Sequence, residues 1–391
     1  MPKNIIFCAD GTWNKPVEET DQDSESPSNV FKLFNLLAGK QGDNIHFNVV
    51  TGRISEYEKS LISDTKTVQI AKYINGVGDS NIKLNRILGG AFGFGLIERI
   101  ARGYTFISRN YVEGDKIYII GFSRGAYTAR ALAGLIAAKG LLAKKFNQGE
   151  AASYDMAIRA WYSYRDGINQ TSYQNRLQNL FTAFTSIKNF VLKNTITDTD
   201  FIKDIPIEAV AVWDTVGALG IPDFEFEDNR AEIRDGFAFA DNVLNAKVKL
   251  GFHAVSLDEM RLLFTPTLWE KRDGIKQVLF AGSHSDVGGG YKEAGLSDGA
   301  LKWMIDELSD KKVGVKFLDE AYKIVGDSAA MAHTEWAHLV GIAGKVGARQ
   351  FKQLVQNSTI NVHQSVLDRR ALKPFVQYLN AAASAYNPSN Y

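Results

Sequence analysis

DKIYIIGFSRGAYTAR, residues 115–130, passes from a β-branched apolar run (Ile117, Tyr118, Ile119, Ile120) through Gly121-Phe122-Ser123-Arg124-Gly125 into a helix-competent stretch of small residues. This is G-x-S-x-G in the strand–turn–helix setting of a nucleophile elbow. So sharp a turn requires flanking residues without bulk, a condition that Gly121 and Gly125 meet. Ala126 and Ala129 let the following helix lie close to the sheet. Ser123 is predicted to stand exposed at the carboxyl edge of the sheet, above helix N–H groups that favour a developing negative charge.

Working outward, four apolar runs read as buried parallel strands: NIIFCA (4–9), KIYIIG (116–121), IEAVAVW (207–213) and QVLFAG (277–282). Each runs into a polar, glycine-containing segment: DGTWN, FSRGA, DTVGALG and SHSDVGGGY. Helical patterns lie between them, at 94–111 and in the stretch 129–143 behind the elbow. The alternation predicts an α/β fold, an α/β-hydrolase-like doubly wound, mostly parallel sheet with helical insertions, over a single domain of residues 1–391. Ligands of such sheets bind at the carboxyl ends of the strands, where all four polar segments fall. Residues 144–206 form a helical insertion. Within it, 172–193 places Tyr173, Leu177, Leu180, Phe181, Phe184, Ile187, Phe190 and Val191 on one face, either packed on the core or serving as a lid for lipid. Residues 310–391 read as mainly helical. The glycines of 89–95 lack the Lys-Ser/Thr of a P-loop and are read as permissive backbone.

Composition excludes several classes. Lys plus Arg is 45 against 44 acidic residues, a net charge of +1, so neither a polyanion partner nor nucleic acid is indicated. The single cysteine, Cys8, excludes an internal disulfide and a Cys-based zinc site. The N-terminal apolar stretch is too short for a signal peptide, and 129–143 is broken by Lys139 and Gly140 and too short to span a bilayer. The expectation is a chain made in the cytoplasm and carried elsewhere, if at all, by another route.

A serine nucleophile needs a base, and the base an orienting acid. Of the six histidines, His46 precedes the elbow, and His333 and His338 sit in a helical pattern with no strand end nearby. His284 directly follows QVLFAG, on the expected edge, and is the first candidate for base. His253 and His363 are the runners-up. His253 precedes an apparently helical segment, with no strong apolar strand to deliver it. Asp214, at the end of IEAVAVW, fits the acid, although a carboxylate there could instead cap the next helix. Asp223 and the acidic run through Asp228 are alternatives. The amide of Arg124 is one expected oxyanion donor, and the loop of Asp10, Gly11 and Thr12 offers the second. Asp10 could fix that loop, or join Asp286 in a weak carboxylate site, although two acids are poor evidence for a metal. No metal and no cofactor is expected.

The segments KNIIFCADGTWN, GFSRGAYTAR, VWDTVGALG, FHAVSLDE and GSHSDVGGGY, in this order, together with VHQSVLDRR and YNPSNY, resemble the type VI secretion phospholipase effector family, an α/β-hydrolase domain. The resemblance covers nearly the whole chain. It implies a Ser–Asp–His triad, by match Ser123, Asp214 and His284. It implies phospholipase A activity on bacterial glycerophospholipids, transient contact with a membrane surface, delivery to the target-cell periplasm, and a secretion-spike protein and an immunity protein as partners. The other readings are a carboxylesterase or thioesterase on a small soluble substrate, and a catalytically silent binding protein of the same fold.

Overall fold

The four apolar runs form the heart of the sheet in the computed structural model, which describes residues 2–11, 26–49, 52–76, 92–146, 150–166, 196–216, 243–334, 346–379 and 381–391. β1 (Asn4–Ala9) is buried along its length, and its side chains alternate. Ile5, Phe7 and Ala9 enter one core, Ile6 and Cys8 the other. After it come α1 (Asn29–Leu36), β2 (Lys40–Gln41), β3 (Ile45–Val49), β4 (Gly52–Ser63), β5 (Lys66–Ile74), α2 (Phe92–Asn110), β6 (Lys116–Phe122) and α3 (Arg124–Lys139). The second half holds β7 (Leu141–Leu142), α4 (Glu150–Asp166), β8 (Phe201–Ile202), β9 (Ile207–Trp213), β10 (Val248–Ser256), β11 (Ile275–Phe280), α5 (His284–Gly288), α6 (Gly295–Ser309), α7 (Phe351–Leu354), β12 (Asn361–Val362) and α8 (Gln364–Ala371).

The strand order is β12-β11-β10-β9-β6-β1-β5-β4-β2, with β3 on β4. Every pair from β12 to β5 is parallel, and β4, β2 and β3 extend one edge antiparallel. Helices α2, α3 and α4 cover one face through Leu96, Ile100, Leu132, Ile136 and Trp161. Helices α1 and α6 cover the other through Val30, Phe34, Leu301 and Met304. Each such fully buried side chain contributes about 2 kcal/mol, so burial on both faces fixes the two-sided arrangement. Ladder bonds continue one residue past the strand ends: Asp10 N–H to the Ile74 carbonyl (3.0 Å), Ser123 N–H to Trp213 (3.1 Å) and Asp214 N–H to Ala254 (2.7 Å). Those three residues are thereby held at one edge.

Three sequence expectations need revision or fall elsewhere. The sheet is wider than the four runs. β4 and β5 read as charged rather than apolar, because their buried charges are paired: Lys72 meets Glu56 at 2.6 Å and Glu58 at 3.1 Å, and Arg102 meets Glu56 at 3.3 Å. The described residues of 310–391 are not mainly helical. Among the described residues there, α7 and α8 are short, and anchors from side chain to backbone or carboxylate hold the rest. Arg369 donates to the carbonyls of Ser328 and Ala330 (both 2.7 Å), Tyr386 to Asp258 (2.9 Å) and Asn390 to the Leu257 carbonyl (3.0 Å). In the insertion, α4 accounts for 150–166, and the apolar stripe of 172–193 lies outside the described residues.

Candidate active site

Ser123 joins β6 to α3 with φ 56° and ψ −123°, a region that costs a non-glycine residue about 1–3 kcal/mol. The neighbours explain how the turn closes. A Cβ on Gly121 would collide with the Gly125 carbonyl, and one on Gly125 with the Ala9 carbonyl. The serine does not cap its own helix. Contrary to the exposed position expected from the sequence, the residue is buried, at 5% exposure, because the sheet edge and the Gly11 backbone close over the turn.

Asp214, one residue past β9, also has a positive φ, 35°. Its carboxylate is fully buried and accepts four bonds. Oδ1 takes the Ser256 N–H (2.9 Å) and Arg349 Nη1 (2.7 Å); Oδ2 takes Arg349 Nη2 (2.9 Å) and meets His284 Nδ1 at 2.6 Å. Burial alone would raise this carboxyl. The Arg349 guanidinium and the His284 ring outweigh it and hold the group well below the usual carboxylate range.

His284 opens α5. Its backbone N–H donates to Glu259 (3.1 Å), whose carboxylate also takes the Arg261 fork at 2.8 Å twice. Burial would raise Glu259 too, but Arg261 holds it down. The imidazole lies between two rings, Phe122 at 4.6 Å and Phe264 at 5.0 Å edge-on. A Cβ on Gly288 would strike the Phe122 ring, so α5 can approach the elbow strand only with glycine there. Nε2 of His284 and Oγ of Ser123 bond to none of the described residues. Hydrogen bonds between nucleophile and base are often long without substrate and tighten around it.

His253 is placed differently from its sequence reading. It sits in β10, a central parallel strand whose apolar run is interrupted by Lys249 and Gly251. Its Nε2 accepts from the Thr215 N–H (3.1 Å), and Nδ1 faces Gln277 Oε1 (3.3 Å). Burial first, then repulsion by Arg130, lowers its pKa to about 3. His363 caps α8 and stacks on Phe280 at 4.4 Å. His338, Asp223 and Asp228 lie outside the described residues.

Gly11 reaches the elbow, but not as expected. A Cβ there would lie 3.3 Å from Ser123 Cβ, yet its amide already donates to Asp10 Oδ1 at 2.7 Å. Gly11 therefore contributes closeness rather than an open amide. Asp10 Oδ2 accepts from Ser28 (2.7 Å) and Tyr73 (2.6 Å), which fixes the loop. Asp286 closes a capping box with Ser283 at the start of α5 and holds His333 at 2.7 Å. The two acids have separate donors, and among the described residues no cluster of three or more His, Cys, Asp or Glu could hold a metal. Burial, then repulsion by Arg261, lowers the Arg124 guanidinium to about 9.

Glu259, Arg261, Phe264 and Arg349 escaped the sequence reading. Glu259 was findable, since it follows a strand end in FHAVSLDE. Arg349 gave no local signal, because it comes from an irregular segment 135 positions from its partner.

The family described as "T6SS, Phospholipase effector Tle1-like, catalytic domain" matches residues 3–307. Uncharacterized protein YEL023C of Saccharomyces cerevisiae is 30% identical over 271 residues, covering 68% of this chain and 33% of the yeast protein. The chain thus spans about a third of that relative's length. A crystal structure of an uncharacterized protein from Pseudomonas aeruginosa aligns with TM-score 0.42 and 17% identity, over 84% of this chain and 49% of that one. No helix among the described residues is long and apolar enough to cross a membrane.

Proposed function

Because the chain belongs to the Tle1-like phospholipase effector family of type VI secretion, through its catalytic domain, we propose that it is a serine ester hydrolase, a phospholipase A that acts as an antibacterial toxin. The single observation that carries this reading is the 2.6 Å contact of His284 Nδ1 with Asp214, on the sheet edge where the Ser123 elbow also ends. Asp214 fixes the tautomer with the proton on Nδ1, so Nε2 carries the lone pair. His284 takes the Ser123 proton as Oγ attacks the acyl carbonyl. The Arg124 amide, first in its helix, faces the developing oxyanion. His284 then protonates the leaving lysophospholipid oxygen. A water deprotonated by the same ring attacks the acyl-serine, releasing fatty acid and restoring the hydroxyl.

The test is hydrolysis of phospholipid vesicles beside fluorophosphonate labelling, for wild type and Ser123→Ala. Release of fatty acid and labelling, both lost in the variant, are expected. Turnover of short-chain soluble esters with none of vesicles would move the assignment to a carboxylesterase or thioesterase. A wild type that neither labels nor hydrolyses would make it a silent binding protein. The toxin role predicts that periplasmic expression in a susceptible bacterium arrests growth for wild type and not for Ser123→Ala. A cognate immunity protein, and carriage by a secretion-spike protein, belong to the same proposal.

A further inference from the structure

The geometry points to Arg349 as a positioning residue for this hydrolytic site: its fork seats the Asp214 carboxylate in the plane that holds His284 and balances part of that carboxylate's charge. The inference rests on the serine-hydrolase reading above. It adds a cation from outside residues 3–307, the span the family matches.

Arg349 is 4% exposed, and its terminal nitrogens make four bonds. Two run to the two oxygens of Asp214, at 2.7 and 2.9 Å. The others run to the carbonyls of Ser256 (2.7 Å) and Phe264. Ser256 ends β10 and itself donates its N–H to Asp214. Phe264 is one of the two rings against His284. One guanidinium thus fixes the acid, the strand end beneath it and the ring beside the base. Bidentate pairing sets the plane of a carboxylate in a way a single point charge does not. This matters at Asp214, whose positive φ is a strained backbone state that persists only where the surrounding contacts hold it.

The same guanidinium acts on the charge balance. Oδ2 serves both Arg349 and His284, so an imidazolium formed in the reaction shares its counter-ion with a permanent cation. The other charged groups around the ring are largely paired elsewhere. Glu259, under the His284 backbone amide, is held by Arg261. Asp286, on the ring's own helix, is held by His333. Asp258 accepts from Gly282 and Tyr386. Arg124 starts the helix after the elbow. Loss of the Arg349 charge should therefore favour the imidazolium, while loss of the fork should loosen the acid.

The experiment measures the rate of fluorophosphonate labelling against pH, with melting temperature, for wild type, Arg349→Met and Arg349→Lys; Ser123→Ala is the control. Arg349→Met should move the acid limb of the profile up by about one pH unit, the low end of the effect of a nearby charge. Its plateau rate should fall by about ten- to a hundredfold, as for a misplaced catalytic group. Arg349→Lys keeps the charge and loses the fork. Its limb should stay within about half a unit of wild type while its plateau falls by about tenfold. A folded Arg349→Met with the wild-type limb overturns the charge role. An Arg349→Lys plateau equal to wild type overturns the positioning role, and it decides alone if Arg349→Met fails to fold. Labelling of Ser123→Ala at the wild-type rate would instead defeat the serine-hydrolase reading.

Discussion

His253 and His284 are both buried imidazoles that feel the charge of Asp214, and they are built for opposite ends. His253 has both ring nitrogens engaged by neutral partners, a backbone amide and a glutamine, and lies edge-on to Trp269. In that setting the ring stays neutral and ties β9, β10 and β11 together. His284 has one nitrogen on a carboxylate and the other bonded to none of the described residues. Burial alone does not separate the two rings; an ionised partner on one nitrogen, with the other bonded to none of the described residues, sets His284 apart.

The largest effect that tests this contrast is His284→Ala, which should reduce ester hydrolysis by about a millionfold. Turnover near wild type there, with His253→Ala inactive at unchanged melting temperature, would reverse the roles. Asp214→Asn should cost about 10⁴-fold in kcat at neutral pH, because an amide no longer enforces the productive tautomer. His253→Ala should keep turnover within about tenfold but lose about 1–3 kcal/mol of stability in denaturant unfolding, since the Thr215 amide is left without its acceptor.

A finer test uses pH. The folded pKa of His253 is about 3 against 6.5 for the free side chain, so the unfolded chain binds the extra proton first. The stability this neutral ring supports is complete above pH 6.5 and is lost as pH falls toward 3, at about 1.4 kcal/mol per unit. Asp258, raised to about 6 by burial, changes stability in the opposite sense. The difference between wild type and His253→Asn isolates the ring, and wild type should show the steeper decline. The smallest effect concerns metal: treatment with a chelator should leave hydrolysis within about twofold, because Asp10 and Asp286 already receive protein donors.

Legibility in the sequence followed the range of the interactions. The elbow could be read because strand, glycines and serine are contiguous. Asp214 and His284 could be singled out because each follows an apolar strand end. Gly11 lies beside Ser123, but the amide expected to serve as oxyanion donor is taken by the preceding carboxylate, a detail of one side-chain torsion. β10 was missed because Lys249, Gly251 and His253 break its apolar run, although the glycine is needed where a Cβ would crowd Leu244 and Trp269. Arg349 was beyond reach, since nothing near it in sequence says that it meets an aspartate across the sheet edge.

That last contact has a temporal side. Synthesis runs from the amino end, so elbow, acid and base all leave the ribosome before Arg349 is made. A nascent chain can close its parallel strands around Ser123 while Asp214 still lacks the cation that seats it. A hydrolase of the kind proposed would thus acquire its fully seated Asp214 only late in translation, and any chain cut short of Arg349 would carry Ser123, Asp214 and His284 without that seat.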